Sequence, residues 1–250
     1  MNTPLTATVT GSVHSWDVST GVDGPGTRFV VFLAGCPLRC QYCQNPDTWR
    51  MRPAQRTSLP DLWRIAAGYT RFIAVAGGGL TISGGEPLLQ PAFTEALLRR
   101  AKEAGLHTAL DTSGALGDRA TDGLLDATDL VLLDIKSGDP ATYRQVTGGG
   151  ELAPTLRFAR RLSDRGTPMW IRFVLVPGLT DAPDNVAAVA RFVATLSTVQ
   201  RVEVLPFHRL GAAKYAALGI DFPLADTPPP TADLVDRVRA QLRSHGLTVY

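Results

Sequence analysis

Cys36, Cys40 and Cys43 are all the thiols in the chain, and they fall in one C-x3-C-x2-C run, Gly35-Cys36-Pro37-Leu38-Arg39-Cys40-Gln41-Tyr42-Cys43-Gln44-Asn45. Three thiolates within eight residues can close around a metal centre without help from distant segments. They stop one ligand short of the four that a closed zinc site or a closed four-iron cluster takes. A cube of iron and sulfide held by three cysteines keeps one iron free for a substrate or cofactor. The competing readings are chance clustering, a redox pair with a spare thiol, and a Cys3His zinc site. Chance is a poor account of a chain with no cysteine elsewhere. The zinc reading lacks a fourth ligand at a usual spacing, the nearest upstream histidine being the distant His14. The open cube is the favoured reading, with zinc and redox uses kept as alternatives.

Such a loop needs elements to hold it. Short apolar runs alternate with amphipathic segments, the pattern of repeated β-α units and a mostly parallel sheet. Arg28 to Leu33 reads as a first strand that delivers the chain to the cysteine loop. Leu80–Ser83, His107–Leu110, Asp129–Ile135, Trp170–Val176 and Val202–Leu205 read as the following strands. Helical periodicity covers Asp61 to about Ala74, with Ser58 before Pro60 as a start signal. It returns over Pro91–Ala104, Arg119–Asp126, Leu152–Ser163, Asp184–Leu196 and Ala232–Ser244. That makes about six β-α units, fewer than the eight of a closed barrel. No linker divides them, so residues 1–250 are expected to form a single domain, with Pro223–Pro230 as a surface crossing.

In a barrel of parallel strands, reactive groups gather where strands end and loops begin. Cys36 follows the first strand, Gly84-Gly85-Glu86 the second, and Asp111-Thr112 the third. Asp134 and Lys136 close the fourth, and His208 lies just past the sixth. Charged side chains at strand ends also form plain structural ion pairs, and both uses stay open for these. Arg172 sits on an otherwise apolar strand, where a guanidinium needs a carboxylate, a carbonyl or a ligand to offset its burial. Asp23-Gly24-Pro25-Gly26 reads on its own as a turn. His14, His107 and His245 read as structural, and Arg99, Arg100 and Lys102 as a solvated helix face.

The spacing C-x3-C-x2-C with Tyr42 before the last cysteine resembles the radical S-adenosylmethionine signature. Asp23-Gly24-Pro25-Gly26, Cys43-Gln44-Asn45-Pro46-Asp47-Thr48-Trp49, Ser83-Gly84-Gly85-Glu86 and Trp170 to Gly178 narrow it. In order, from about Val13 to Val249, they resemble the family of pyruvate formate-lyase activating enzymes. The resemblance implies an α/β fold, a partial (β/α)6 TIM-like barrel open on one side. It implies a [4Fe–4S] cluster on Cys36, Cys40 and Cys43 whose fourth iron takes S-adenosylmethionine. Tyr42, Asn45, Gly84, Gly85, Glu86, Asp111, Lys136 and His208 would contact that cofactor. Asp111, Thr112, Asp134 and the Leu132 carbonyl would match a monovalent cation site for Na+ or K+, and hard oxygens suit such an ion. Asp23 and Arg172 would meet the peptide of a protein substrate. The implied activity abstracts a glycine Cα hydrogen from a glycyl radical enzyme, pyruvate formate-lyase foremost, with flavodoxin or ferredoxin as reductant. Gln44 stands where the family commonly has histidine, a change that tunes the surroundings of the cluster. Without a cysteine outside the signature, no second cluster can be built.

Composition sets limits. Hydrophobic content of 44% and formal charge of +2 in 250 residues describe an ordinary globule without the basic excess of a nucleic-acid binder. No apolar run approaches the ~20 residues of a membrane span. Met1 to Thr10 lacks the charged start and apolar core of a signal peptide. Three reduced thiols fit a cytoplasm. The expected protein is cytoplasmic and monomeric, with no nucleic-acid or membrane partner. The rivals are a small-molecule radical enzyme on the same fold, such as one in deazapurine biosynthesis, and a non-enzymatic iron–sulfur or zinc module.

Overall fold

A computed structural model describes residues 9–52 and 56–250, so the reading of Met1 to Thr10 lies, for residues 1–8, outside them. The described residues contain eight strands in one sheet: β1 (Thr10–Thr20), β2 (Thr27–Leu33), β3 (Arg56–Ser58), β4 (Gly79–Gly84), β5 (His107–Thr112), β6 (Leu130–Asp134), β7 (Met169–Leu175) and β8 (Val199–Pro206). Their order is β3-β1-β2-β4-β5-β6-β7-β8, and β2 pairs with β4, β4 with β5 and so on to β8, all parallel. These six parallel strands match the six units counted from the periodicity and, unclosed on one side, form the partial (β/α)6 barrel that the resemblance implied. β1 and β3 extend one edge with antiparallel pairing, which the apolar pattern did not reveal. On the other edge Val249 pairs with Val202 of β8.

Strand residues alternate between two environments, as the two-residue repeat requires. Phe29, Val31 and Leu33 of β2, with Leu80, Ile82, Leu110, Val131, Leu133, Ile171, Phe173, Val202 and Val204, turn outward into the main core beneath the helices. The alternate positions face the lumen, where Ala109, Leu130, Leu132 and Trp170 form a small apolar layer. Above that layer the lumen-facing positions become polar: Ser83, Asp111, Asp134, Arg172 and Glu203. The sequence thus builds one face for packing and the other for chemistry.

The helices follow their start signals. α1 (Leu59–Ala67) is capped by Ser58, whose hydroxyl accepts from the Asp61 amide. The expected helix to Ala74 breaks at Gly68, and α2 (Thr70–Val75) resumes beyond it. α3 (Pro91–Glu103), α6 (Leu152–Asp164), α7 (Pro183–Val193) and α9 (Ala232–Arg243) match the expected helices within a few residues. The segment 119–126 splits into a 3-10 turn, Gly117–Arg119, and α4 (Asp122–Asp126). Two short helices were not expected, α5 (Pro140–Thr147) and α8 (Ala212–Leu218).

At the lower end of the lumen lies Arg28, fully buried. It donates to the Thr81 hydroxyl at 2.6 Å and to the Leu80, His107 and Pro25 carbonyls at 2.7, 3.2 and 3.3 Å. It also meets His107 Nδ1 at 3.1 Å. Burial pulls its pKa down to about 10, against the opposing pull of Asp23 and Asp129, so it remains charged at neutral pH. Replacement by leucine strands these carbonyls in the interior. Arg28→Leu should therefore cost about 3 kcal/mol or more in anaerobic urea unfolding. A loss below 1 kcal/mol would refute this account.

Asp129, just before β6, ties it to β5. Its carboxylate accepts from the Thr108 amide at 2.9 Å and hydroxyl at 3.0 Å and pairs with Lys102 at 2.7 Å. Burial pushes its pKa up, yet Lys102 and Thr108 outweigh that and hold it below the ordinary value. The folded chain thus binds less proton here than the unfolded one, which stabilises the fold above pH about 4. That contribution is lost as pH falls through the depressed folded value. Asp129→Asn should unfold at lower urea than wild type at pH 7, with the gap closing below pH about 4. A gap that persists in acid would contradict this.

Candidate active site

The C-terminal ends of the parallel strands surround a cavity of about 340 Å³. Its wall contains Cys36, Cys40 and Cys43, so the loop after β2 supplies all three thiols to one chamber. That loop is fixed by its backbone. Gly35 and Cys36 amides donate to the Thr48 and Trp49 carbonyls at 2.7 and 3.2 Å. Arg39 and Gln41 amides donate to Thr147 and Val146 at the end of α5, each at 2.9 Å. Leu38, Cys40 and Tyr42 pack on Val146, Val176, Phe207 and Leu224 in an apolar cluster of their own.

Gly84 and Gly85 lie in the cavity wall, and their lack of a side chain has a steric cause. Gly84 has φ +106°, and a Cβ there would sit 2.4 Å from the Leu33 amide nitrogen. A Cβ on Gly85 would come within 2.3 Å of the Gly35 carbonyl. The two glycines let the end of β4 press against the end of β2 and the root of the cysteine loop.

Glu86, which the resemblance put at the cofactor, is buried and lies outside the cavity wall. Its carboxylate accepts from the Leu88 amide at 3.0 Å, the Thr112 hydroxyl at 2.7 Å, and the Ser113 amide and hydroxyl at 3.0 and 2.6 Å. These donors occupy the acid and make it a clamp between the loops after β4 and β5. Thr112, expected at a cation, borders the cavity and donates its hydroxyl to Glu86. Leu132, whose carbonyl the resemblance put at the same cation, turns its side chain into the apolar layer below the cavity.

The remaining expected residues converge. Asp23, Tyr42, Asn45, Asp111, Asp134, Lys136, Arg172 and His208 all border the cavity. Lys136 pairs with Asp134 at 3.1 Å and lies 5.5 Å from the Tyr42 ring centre. Burial opposes the lysine's charge, but Asp134 lifts its pKa well above the ordinary value, so it stays cationic. Asp111 accepts from the Ser83 hydroxyl at 2.6 Å. Burial raises its pKa to about 6, with Arg172 opposing and Asp134 adding to the rise.

Arg172 is not free. Its Nε donates to Glu203 at 3.2 Å, its Nη1 pairs with Asp111 at 3.4 Å, and its Nη2 donates to the Val22 carbonyl. It therefore anchors the turn Val22–Gly26, in which Asp23 accepts from the Ser19 hydroxyl at 2.6 Å. The pairing with internal acids that its burial called for is present, and Arg172 also borders the cavity. Glu203 escaped the sequence reading; its only signal was a lone acid in an apolar strand. Gln44 donates to the Tyr42 carbonyl at 3.3 Å and the His208 carbonyl at 3.1 Å, stapling the cysteine loop to the segment after β8. Asn45 accepts from Lys214 of α8 at 2.7 Å. Trp49 also borders the cavity, without having been assigned a role.

The donor set fits an iron–sulfur cube. Burial pushes Cys36 up to about 12 and Cys40 up to about 11, and raises Cys43 as well, so none is a reactive free thiolate at neutral pH. A cationic centre is what would deprotonate three such thiols together. Among the described residues no three His, Cys, Asp or Glu side chains converge as they would on a single ion. A cube places no such demand, because each of three irons takes one thiolate. The Tyr42 hydroxyl, in the same wall, is buried without a hydrogen-bond partner.

Comparison with known proteins agrees with this geometry. Residues 30–192 match the model of the Radical SAM superfamily. The pyruvate formate-lyase-activating enzyme of Streptococcus mutans is 46% identical, over 97% of this chain and 94% of its own. The pyruvate formate-lyase 1-activating enzyme of Escherichia coli is 38% identical, over 95% and 97% respectively. A crystal structure of a domain of the activating enzyme from Bacteroides vulgatus superposes with TM-score 0.58 at 26% identity, covering 69% of this chain and 98% of that one. QueE from Escherichia coli, 18% identical with TM-score 0.55 over 84% and 92%, shares the fold. The chain belongs to the radical SAM superfamily and, within it, to the pyruvate formate-lyase-activating enzymes. Its cofactors are accordingly a [4Fe–4S] cluster and S-adenosylmethionine. No helix among the described residues is long and apolar enough to cross a membrane.

The clamp assigned to Glu86 separates from a cofactor contact by measurement. Glu86→Gln should lower stability by about 1–3 kcal/mol, because an amide cannot accept from all four donors. The dissociation constant for S-adenosylmethionine should stay within about twofold, since 1.4 kcal/mol of lost contact would be tenfold. A tenfold weakening with stability unchanged would restore the cofactor role.

Proposed function

We propose that this chain is an activase that removes a glycine Cα hydrogen atom from a partner enzyme and leaves a glycyl radical there, pyruvate formate-lyase being the partner. The observation that carries the reading is the gathering of three cysteines, Cys40 buried and Cys36 and Cys43 half-buried, with Asp23, Asp111, Lys136 and Arg172 around one cavity, in a chain similar to the activating enzymes over nearly its full length. When bound, the cluster and S-adenosylmethionine supply a 5′-deoxyadenosyl radical through one-electron cleavage of a carbon–sulfur bond.

The chain's own residues hold, orient and exclude. Cys36, Cys40 and Cys43 each ligate one iron. Lys136, kept cationic by Asp134, offers a charge to the carboxylate of the methionine moiety. Asp111 and His208 face the cofactor from opposite strands, with Tyr42 and Asn45 beside the cysteine loop and the backbone of Gly84 and Gly85 approaching the methionine group. Asp111 and Asp134 are half-buried carboxylates that repel each other, and a Na+ or K+ ion between them would offset that repulsion. Arg172 holds the Val22 carbonyl and so sets Asp23 in the cavity wall, where its carboxylate can accept from the amides of an incoming peptide.

The reading extends to flavodoxin or ferredoxin as electron donor and to a monomeric chain in the cytoplasm, a reducing compartment that suits three free thiols. A single domain over residues 1–250 is supported by one continuous sheet running through the described residues.

The test is electron paramagnetic resonance of pyruvate formate-lyase after anaerobic incubation with the reconstituted chain, S-adenosylmethionine and a reductant. A glycyl doublet is expected, and it should vanish with Cys40→Ala. Cofactor cleavage coupled to turnover of a small metabolite, with no doublet, would hand the function to the small-molecule alternative.

A further inference from the structure

Glu203 lies on β8 two residues before Leu205, which borders the cavity, and is itself outside the cavity wall. Its side chain is 13% exposed and pairs with two arginines. Oε2 accepts from Arg172 Nε at 3.2 Å, and Oε1 accepts from Arg201 Nη2 at 2.5 Å. In the β7–β8 register Arg172 stands directly opposite Glu203, and Trp170 opposite Arg201. One carboxylate is thus shared by two guanidinium groups, one from each strand.

Arg201 keeps Glu203 in place. Its guanidinium lies over the Trp170 ring, 3.2 Å from the centroid, and 5.2 Å from the centroid of the Tyr250 ring. The indole is fixed in turn, because Trp170 Nε1 donates to Gln200 at 2.9 Å. Such ring contacts are strongest where water is excluded, and the Arg201 Nε is buried without a hydrogen-bond partner. The stack therefore braces Arg201 with its Nη2 on the Glu203 carboxylate.

Arg172 is the joint between Glu203 and the turn Val22–Gly26. With Nε on Glu203 and Nη1 paired with Asp111 at 3.4 Å, the planar fork presents Nη2 to the Val22 carbonyl. Without Glu203 its remaining paired carboxylate is Asp111. The guanidinium is then free to turn toward that acid and release the carbonyl. Val22 and Asp23 both border the cavity, so the release loosens the wall there.

We propose that Glu203, braced by Arg201, is a positioning residue that orients the Arg172 guanidinium, holds the turn Val22–Gly26 in place and so sets how tightly the partner's peptide binds. The proposal rests on the reading that this turn receives the peptide. Glu203 touches neither the peptide nor a reacting atom and acts through Arg172 alone.

The experiment uses the anaerobically reconstituted full chain and Glu203→Gln, which keeps the shape, loses the charge and cannot accept from both arginines. Hydrogen exchange of the amides over residues 20–27, which needs no turnover, should quicken about tenfold while α3 and α6 exchange as in wild type. In glycyl radical formation on pyruvate formate-lyase, KM for that protein should rise about tenfold, with kcat within about twofold. In an Arg172→Lys background the same substitution should add less than about twofold to KM, because the joint is already broken. Unchanged exchange over 20–27 overturns the proposal, as does a fall in kcat at constant KM. An equal rise in KM in both backgrounds also overturns it, since Glu203 would then be propping the fold. Should Glu203→Gln fail to fold, Arg201→Gln removes the brace and should move exchange and KM in the same directions. A wild-type chain that leaves no glycyl doublet on pyruvate formate-lyase sinks the peptide reading instead, while the exchange measurement still judges the joint.

Discussion

The polar half of the barrel lumen depends on the burial of opposite charges in one small space. Asp111, Asp134 and Glu203 would repel one another if left alone. Arg172 lies between Asp111 and Glu203, and Lys136 pairs with Asp134. Buried pairs of this kind add little net stability, because desolvation opposes the attraction. Their worth is geometric. They fix where charge stands before any ligand arrives, so little reorganisation is left for the reaction. Arg172 extends that order to the turn between β1 and β2, since the same guanidinium holds the Val22 carbonyl.

Close backbone approach is the second constraint. The ends of β2 and β4 meet with no room for side chains at Gly84 and Gly85. That contact sets the root of the cysteine loop, which is then pinned from the far side by the end of α5. A loop held at both flanks can keep three thiols largely out of water, Cys40 buried and Cys36 and Cys43 in part, and that desolvation disfavours their charged form until a metal centre claims them.

Much of this was legible in the sequence, and the exceptions share a cause. The cysteine run, the six parallel strands and the long helices carry local signals: ligand spacing, apolar runs and caps such as Ser58. β1 escaped because Thr10 to Thr20 is largely polar and half-exposed, so its pairing with β2 leaves no periodicity to read. α5 and α8 are too short for a helical stripe and are bounded by glycines that read as loop. Glu86 was drawn to the cofactor because it follows two glycines that line the cavity. Its actual partners, Thr112 and Ser113, lie 26 and 27 residues away. Arg172 announced that it needed a partner, but Glu203 stands 31 residues further on. What a residue's neighbours in sequence determine could be read; what the closing of the sheet brings together could not.

The hub that Arg28 makes has an implication for the turn beside it. Its guanidinium donates to the Pro25 carbonyl and Thr81 to that of Asp23, while Arg172 holds the Val22 carbonyl. A bend moored to the sheet at three carbonyls is a rigid fixture, so a chain segment that docks on it has to supply the adaptation itself.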